Sequence, residues 1–361
     1  RSPATGRRWP RPTEVERAPF PDREEPNVTR IGVAFSGGLP PADIVECVKL
    51  ADELGYESAW VAEGHGGDQF AILAACAVGT RRIKLGTSIS SVFVRTATTI
   101  AMAAATVDQL SGGRFILGLG SSHRVQVEPE HGVPFLQPTL RLRETVDVVR
   151  GLVRDGVVSY AGKVVSIERF ELWFTPLRRE IPIYVSALFP TMLQIGGEIA
   201  DGVLLTWPTT ESGRRAAENV AVGARRAGRA PEDVDVASLI PCYVARDQRQ
   251  AFDGMRTAVA FYAGFFPRYN RLLAEAGFAG AVGKIKEAFD AGDRAEAERR
   301  VPDELMAAIS AAGTPEQCRA KVEAYRRSGI ALPIISPRAS GPGGKAMAVE
   351  ALRACAPQPA R

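Results

Sequence analysis

Residues 58–120 read SAWVAEGHGGDQFAILAACAVGTRRIKLGTSISSVFVRTATTIAMAAATVDQLSGGRFILGLG. Three short apolar runs, SAWVAE, IKLGTSI and FILGLG, alternate with two stretches of helical periodicity, roughly 69–78 and 98–110. Each run stops at glycine or at a polar residue. Short apolar runs bounded by turns are the pattern of strands buried on both faces, and strands that alternate with helices build a parallel sheet. Ligands collect at the carboxyl ends of such strands. The chemistry is therefore expected at Glu63 to His65, at Thr87 to Ile89 and from Gly120 onward.

The same rhythm continues in both directions. Upstream, IGVAF (31–35) ends at Ser36, Gly37 and Gly38, and Ile44, Val48, Ala51 and Leu54 follow at helical spacing until Gly55. Downstream, IPIYVSA (181–187), DGVLLTW (201–207), VDVASLIP (234–241) and ALPIIS (331–336) each adjoin a helical segment. That makes eight β/α units in a chain of 361 residues, which predicts an α/β fold, a (β/α)8 TIM barrel over residues 30–340. Two segments break the repeat: a loop-like one at about 123–138, and extra helices at about 265–312. Insertions at a barrel mouth shape the substrate pocket. A proline-rich arm, residues 1–29, precedes the barrel, and a helix and tail, 341–361, follow it.

Composition narrows the function classes. A formal charge of +4, with arginines spread among glutamates, does not build a nucleic-acid groove. No apolar run approaches the roughly 20 residues of a membrane helix, and the arm lacks the apolar centre of a secretory signal. The five cysteines are scattered; they read as reduced, buried thiols of a cytoplasmic protein. Three histidines, His65, His123 and His131, do not compose a metal site. GLGSSH (118–123) lacks the third glycine and following helix of a dinucleotide fingerprint. No basic cluster at the strand ends asks for an anion, which points to a largely neutral organic substrate.

Five motifs stand in a distinctive order: LGTSISSVFVRT (85–96), TVDQLSGGRFILGLGSS (106–122), HGVPF (131–135), IYVSALFPTMLQIGGEIADGVLLTW (183–207) and GTPEQCRAKVEAYRRSGI (313–330). Together they resemble the luciferase-like superfamily of flavin and deazaflavin oxidoreductases. The resemblance is nearest to the branch that uses coenzyme F420 and includes methylenetetrahydromethanopterin reductase. It implies a barrel with an insertion, usually a homodimer, holding the cofactor ring at the strand ends. It also implies a non-prolyl cis peptide at Ser88–Ile89 that bulges against the back of that ring, with Thr87 and Ser91 beside it.

On the same basis Gly120, Ser121 and Ser122 let the backbone approach the ring or its ribityl chain. The competing reading is that the glycines are structural. Ser186, Ala187 and Leu188, just before Pro190 opens a helix, receive the tail phosphate. Leu188 and Phe189 stand where relatives carry glycines. Glu63 and His65 follow an acid-histidine pattern that Gly64 interrupts; against it stands a Glu63 that caps an amide and a His65 that is solvated. His123 is a third candidate for moving the proton. Trp207, Pro241 and Cys242 end strands six and seven, and Phe261, Tyr262, Phe265, Phe266 and Tyr269 recur at helical spacing, with an end available as an apolar wall.

The implied reaction is hydride transfer between the deazaflavin C5 and a small organic substrate. A reduced-FMN monooxygenase keeps the fold and changes the cofactor. A non-catalytic cofactor-binding or scaffold barrel is a reading of another class, which Gly64 and the Leu188–Phe189 pair leave open.

Overall fold

Eight parallel strands close on themselves: β1 (Gly32–Phe35), β2 (Ser58–Val61), β3 (Lys84–Thr87), β4 (Phe115–Gly120), β5 (Ile183–Ser186), β6 (Gly202–Thr206), β7 (Asp235–Val244) and β8 (Leu332–Pro337). Each pairs with the next, β8 also pairs with β1, and the ring is a (β/α)8 barrel. The computed structural model describes residues 29–358, so residues 1–28 of the proline-rich arm lie outside the described residues. Arg30–Pro357 forms one compact unit.

The interior is filled by Ala34, Trp60, Ile116, Tyr184, Leu204, Leu239 and Ile334, a packed core as expected of a small barrel. Trp60 is wholly buried and fits because β3 carries glycine opposite it: a Cβ on Gly86 would meet the indole at 2.3 Å. At the amino end of the barrel, Arg30 bridges Glu57 and Asp235 at 2.7 and 2.6 Å, and Tyr184 donates to Asp235 at 2.7 Å. That end is committed to stability, which leaves the carboxyl end for function. Helices start where the sequence supplies caps: Asp68, Thr96, Thr209 and Thr314 each accept a backbone amide of the following turn.

Two features differ from the sequence reading. The first insertion is a loop only in part: Arg124–His131 is helical and ends at Gly132 in the left-handed conformation, φ 66°, and the chain is irregular from there to Gln137. The helix's eight residues contain Pro129 and little apolar periodicity, which hid it. After the helix Pro138–Asp155, an antiparallel hairpin (Val157–Ala161 with Ser166–Glu171) was not foreseen. Of its strand residues only Val158 is buried, with Tyr160, Ile167 and Phe170 packed partly against the core, so the stripe that marks it is short. Buried Glu144 fixes its turn by accepting the amides of Lys163, Val164 and Val165 at 2.7 to 2.9 Å. From Gln248 to Ile309 the chain forms helices with a small core of their own around Phe252, Met255, Val282, Ile285 and Leu305.

Candidate active site

The carboxyl ends of the strands frame a cavity of about 790 Å³, inside the range of roughly 300–1,000 Å³ usual for small-molecule sites. Its floor is the end of β3. Thr87 Oγ1 donates to the Gly118 carbonyl and accepts the Gly118 amide, both at 2.8 Å, which locks β3 to β4. The Ser88 amide donates to the Val61 carbonyl at 2.9 Å. The Ser88–Ile89 peptide is cis, and both residues line the cavity. The chain then returns, with Ser90 and Ser91 paired to Leu119 and Gly120. Ser88 Oγ is buried without a hydrogen-bond partner among the described residues, a cost that a ligand acceptor or donor would relieve.

Thr87, Ser91 and Gly120, expected at the cofactor, stand behind the wall and not on it. A Cβ on Gly118 would meet the Thr87 carbonyl oxygen at 1.8 Å, and one on Gly120 would meet Ser186 Oγ at 2.5 Å and Ile89 at 2.7 Å. These glycines let neighbouring strands and the segment after β3 approach one another. Ser121 and Ser122 do line the cavity, and Ser122 turns the chain with φ 54°.

Glu63 lies on the cavity with its carboxylate engaged. Oε2 accepts the Ser91 amide at 2.7 Å, and Oε1 meets Arg95 Nε at 2.5 Å. Arg95 also holds Asp68 at 2.5 Å, so the acid ties the end of β2 to the segment after the bulge. His65 borders the mouth; its side chain is 78% exposed and its Nε2 lies 3.2 Å from Glu130. His131 is exposed and away from the cavity.

His123 is enclosed instead. Its ring packs on Phe266 and Tyr269 at 4.6 and 5.2 Å between centroids. Burial, then the nearby Arg268 charge, push its imidazole down to about 4, so it is neutral at neutral pH. Trp207 follows β6 at φ 56°, an uncommon conformation for a bulky residue, and its indole stacks on Tyr262 at 4.1 Å. Trp207, Tyr262, Phe266 and Tyr269 thus form a continuous aromatic wall, joined across the helices Gln248–Phe265 and Pro267–Leu273. Pro241 lines the cavity; Cys242 is buried and does not.

After β5, Ser186, Ala187, Leu188 and Phe189 all border the cavity. Phe189 is the residue before the helix Pro190–Ile199, whose start has no side-chain cap. Leu188 and Phe189 pack against the Phe266 cluster, and the Arg271 guanidinium sits 4.5 Å from the Phe189 ring centroid. Bulky side chains therefore stand in the wall on this side.

One group of residues was missed from the sequence. Arg268, exposed at the rim, and Arg338, half-buried just past β8, also line the cavity. Neither has a carboxylate within ion-pair distance or a side-chain hydrogen bond among the described residues. Partial desolvation, then the nearby Arg124, hold the Arg268 guanidinium below its ordinary pKa. The strand ends read as lacking a basic cluster; the lining holds two separate arginines, of which only Arg338 follows a barrel strand. Isolated arginines 70 positions apart leave no local signal, and only the closed ring brings them to one cavity.

The profile of the luciferase-like monooxygenase family matches residues 26–332. A 5,10-methylenetetrahydromethanopterin reductase of Methanolobus tindarius is 30% identical over 302 residues, covering 83% of this chain and 91% of the relative. Among solved structures, the coenzyme F420-dependent tetrahydromethanopterin reductase from Methanopyrus kandleri superposes with a TM-score of 0.82 at 27% identity, covering 91% of this chain and 98% of its own. A monooxygenase from Streptomyces bottropensis shares the fold, with a TM-score of 0.69 at 24% identity and coverage of 91% and 98%.

Proposed function

The chain belongs to the luciferase-like monooxygenase family, and from that premise we propose that it is a coenzyme F420-dependent oxidoreductase acting on a small organic substrate. The observation that carries this reading is the cavity bordered by Ser88 and Ile89 on one side and by the stacked Trp207 and Tyr262 on another, with a buried, unpartnered hydroxyl on Ser88. A flat, polar-edged ring system suits such a space. When bound, the deazaflavin supplies or accepts a hydride at C5.

The residues divide the remaining work. Ile89 would back the ring and Ser88 Oγ would offer it a hydrogen bond. Thr87, Ser91 and Gly120 fix the shape of the bulge from behind, and Glu63, through Ser91 and Arg95, holds that segment in place. Glu63 is thus a positioning residue. Ser121, Ser122, Ser186, Ala187 and Leu188 border the space for the ribityl chain and phosphate. His123, neutral and enclosed, accepts or returns the substrate proton at its imidazole. His65, paired with Glu130 at the mouth, is a poorer candidate because water competes for its ring. Holding substrate against the ring beneath the aromatic wall makes the encounter effectively intramolecular. Five free, buried thiols suit a reducing cytoplasmic setting, and the resemblance favours a homodimer.

Titration of the purified chain with F420 and with FMN tests the proposal. Saturable fluorescence quenching by micromolar F420, with none by FMN, supports it. The reverse order of affinity favours the reduced-FMN monooxygenase reading, which the shared fold of the Streptomyces monooxygenase keeps in view.

A further inference from the structure

The cavity's charges are unevenly served. Its two lining carboxylates have partners: Glu63 meets Arg95, and Glu130 meets His65. Its two lining guanidinia, Arg268 and Arg338, have none among the described residues. Each flanks the aromatic wall. Arg268 immediately precedes Tyr269 and stands 5.8 Å from the Phe135 ring centroid. Arg338 follows β8, its amide donating to the Cys242 carbonyl at 2.8 Å, which fixes its backbone to β7. Nearby, Gly37 and Gly38 line the same region with φ values of 112° and 86°, and no atom lies within 4 Å of where a Gly37 Cβ would stand.

A guanidinium presents a fork of donors that matches carboxylate and phosphate oxygens, and bonds to an ionised acceptor are about twice as strong as neutral ones. A guanidinium that lines a ligand cavity without an acceptor of its own is a group whose acceptor arrives with the ligand. We propose that the substrate is an organic anion, a carboxylate or phosphate ester on an apolar or aromatic body, with its charged end received by Arg338 and Arg268 and its body laid on the Trp207–Tyr262–Tyr269 wall. This deepens the functional reading above and rests on it for the word substrate. The deazaflavin's own tail phosphate offers the same chemistry, so the test separates the two sources.

The experiment uses the full chain without cofactor, with phenyl phosphate as the anionic probe and phenol as its neutral counterpart, followed by tryptophan fluorescence or calorimetry. Binding of phenyl phosphate at least tenfold tighter than phenol is expected. Arg338→Gln and Arg268→Gln should each weaken phenyl phosphate by about tenfold, leave phenol unchanged, and leave unchanged the ratio of affinities for F420 and for the same deazaflavin lacking its phosphate. Arg338→Lys should restore part of the loss, which separates charge from folding. Equal binding of phenyl phosphate and phenol overturns the proposal. So does loss of the F420 preference in the arginine variants with phenyl phosphate unaffected, since the arginines then serve the cofactor tail. Arginine-dependent binding of phenyl phosphate in a chain that binds no F420 leaves the anion site standing and removes the F420 reading instead.

Discussion

Glu63 Oε1 and Arg95 Nε lie 2.5 Å apart, with side chains 17% and 22% exposed, and this pair joins the end of β2 to the segment that follows the Ser88–Ile89 bulge. The acid next to the cavity is engaged in holding a segment. Glu63→Gln keeps an acceptor for the Ser91 amide and removes the charge facing Arg95. The expected result is a loss of about 1.5–3 kcal/mol in urea unfolding, together with weaker F420 binding and an unaltered pH profile of turnover. A shifted pH profile at unchanged stability would instead make Glu63 the proton carrier.

His123 gives a pH signature. Its folded-state value of about 4 lies below the ordinary 6.5, so between these two values the unfolded chain binds more protons than the folded one. Stability from this residue is complete above pH 6.5 and is lost as pH falls through 4. Unfolding free energy should therefore decline across that window, and His123→Gln should flatten the decline. A proton NMR titration should show the His123 ring, assigned by its loss in His123→Gln, still neutral at pH 5; its titration near the ordinary 6.5 would contradict the enclosed site.

The glycines at the strand ends separate by their neighbours. Gly120→Ala should cost about 1–3 kcal/mol through overpacking, because its Cβ meets Ser186 and Ile89 below 3.0 Å. Gly118→Ala, against the Thr87 carbonyl at 1.8 Å, should cost more. Gly64→Ala, with nothing within 4 Å, should stay within about 0.5 kcal/mol of the parent. Denaturant midpoints check all three; equal effects would mean that β3 and β4 are not packed as described.

The barrel was legible because its signal is local and repeated: FILGLG or IYVS stops at a glycine or serine, and a helix of fixed spacing follows. The bulge was legible only through the resemblance carried by LGTSISSVFVRT. What escaped depends on contacts between distant residues. Gly120 reads as room for a ligand until Ser186 and Ile89 are placed against it. Arg268 and Arg338 are two of 45 basic residues until ring closure puts them in one cavity. The hairpin strands at 157–161 and 166–171 bury only Val158 and turn Tyr160, Ile167 and Phe170 partly inward, so the period-2 signal is short and weak. Trp207 and Tyr262 belong to different β/α units, and their stacking needed both in space.

The central claim is that a planar redox ring lies between the Ser88–Ile89 bulge and the aromatic wall. A crystal structure of the chain soaked with F420 tests it most directly. The account predicts the ring seated on Ile89, hydrogen-bonded to Ser88 Oγ, with its open face towards His123, Trp207 and Tyr262. A ring bound elsewhere, or Leu188 and Phe189 occupying the ring's place at saturating F420, would contradict it.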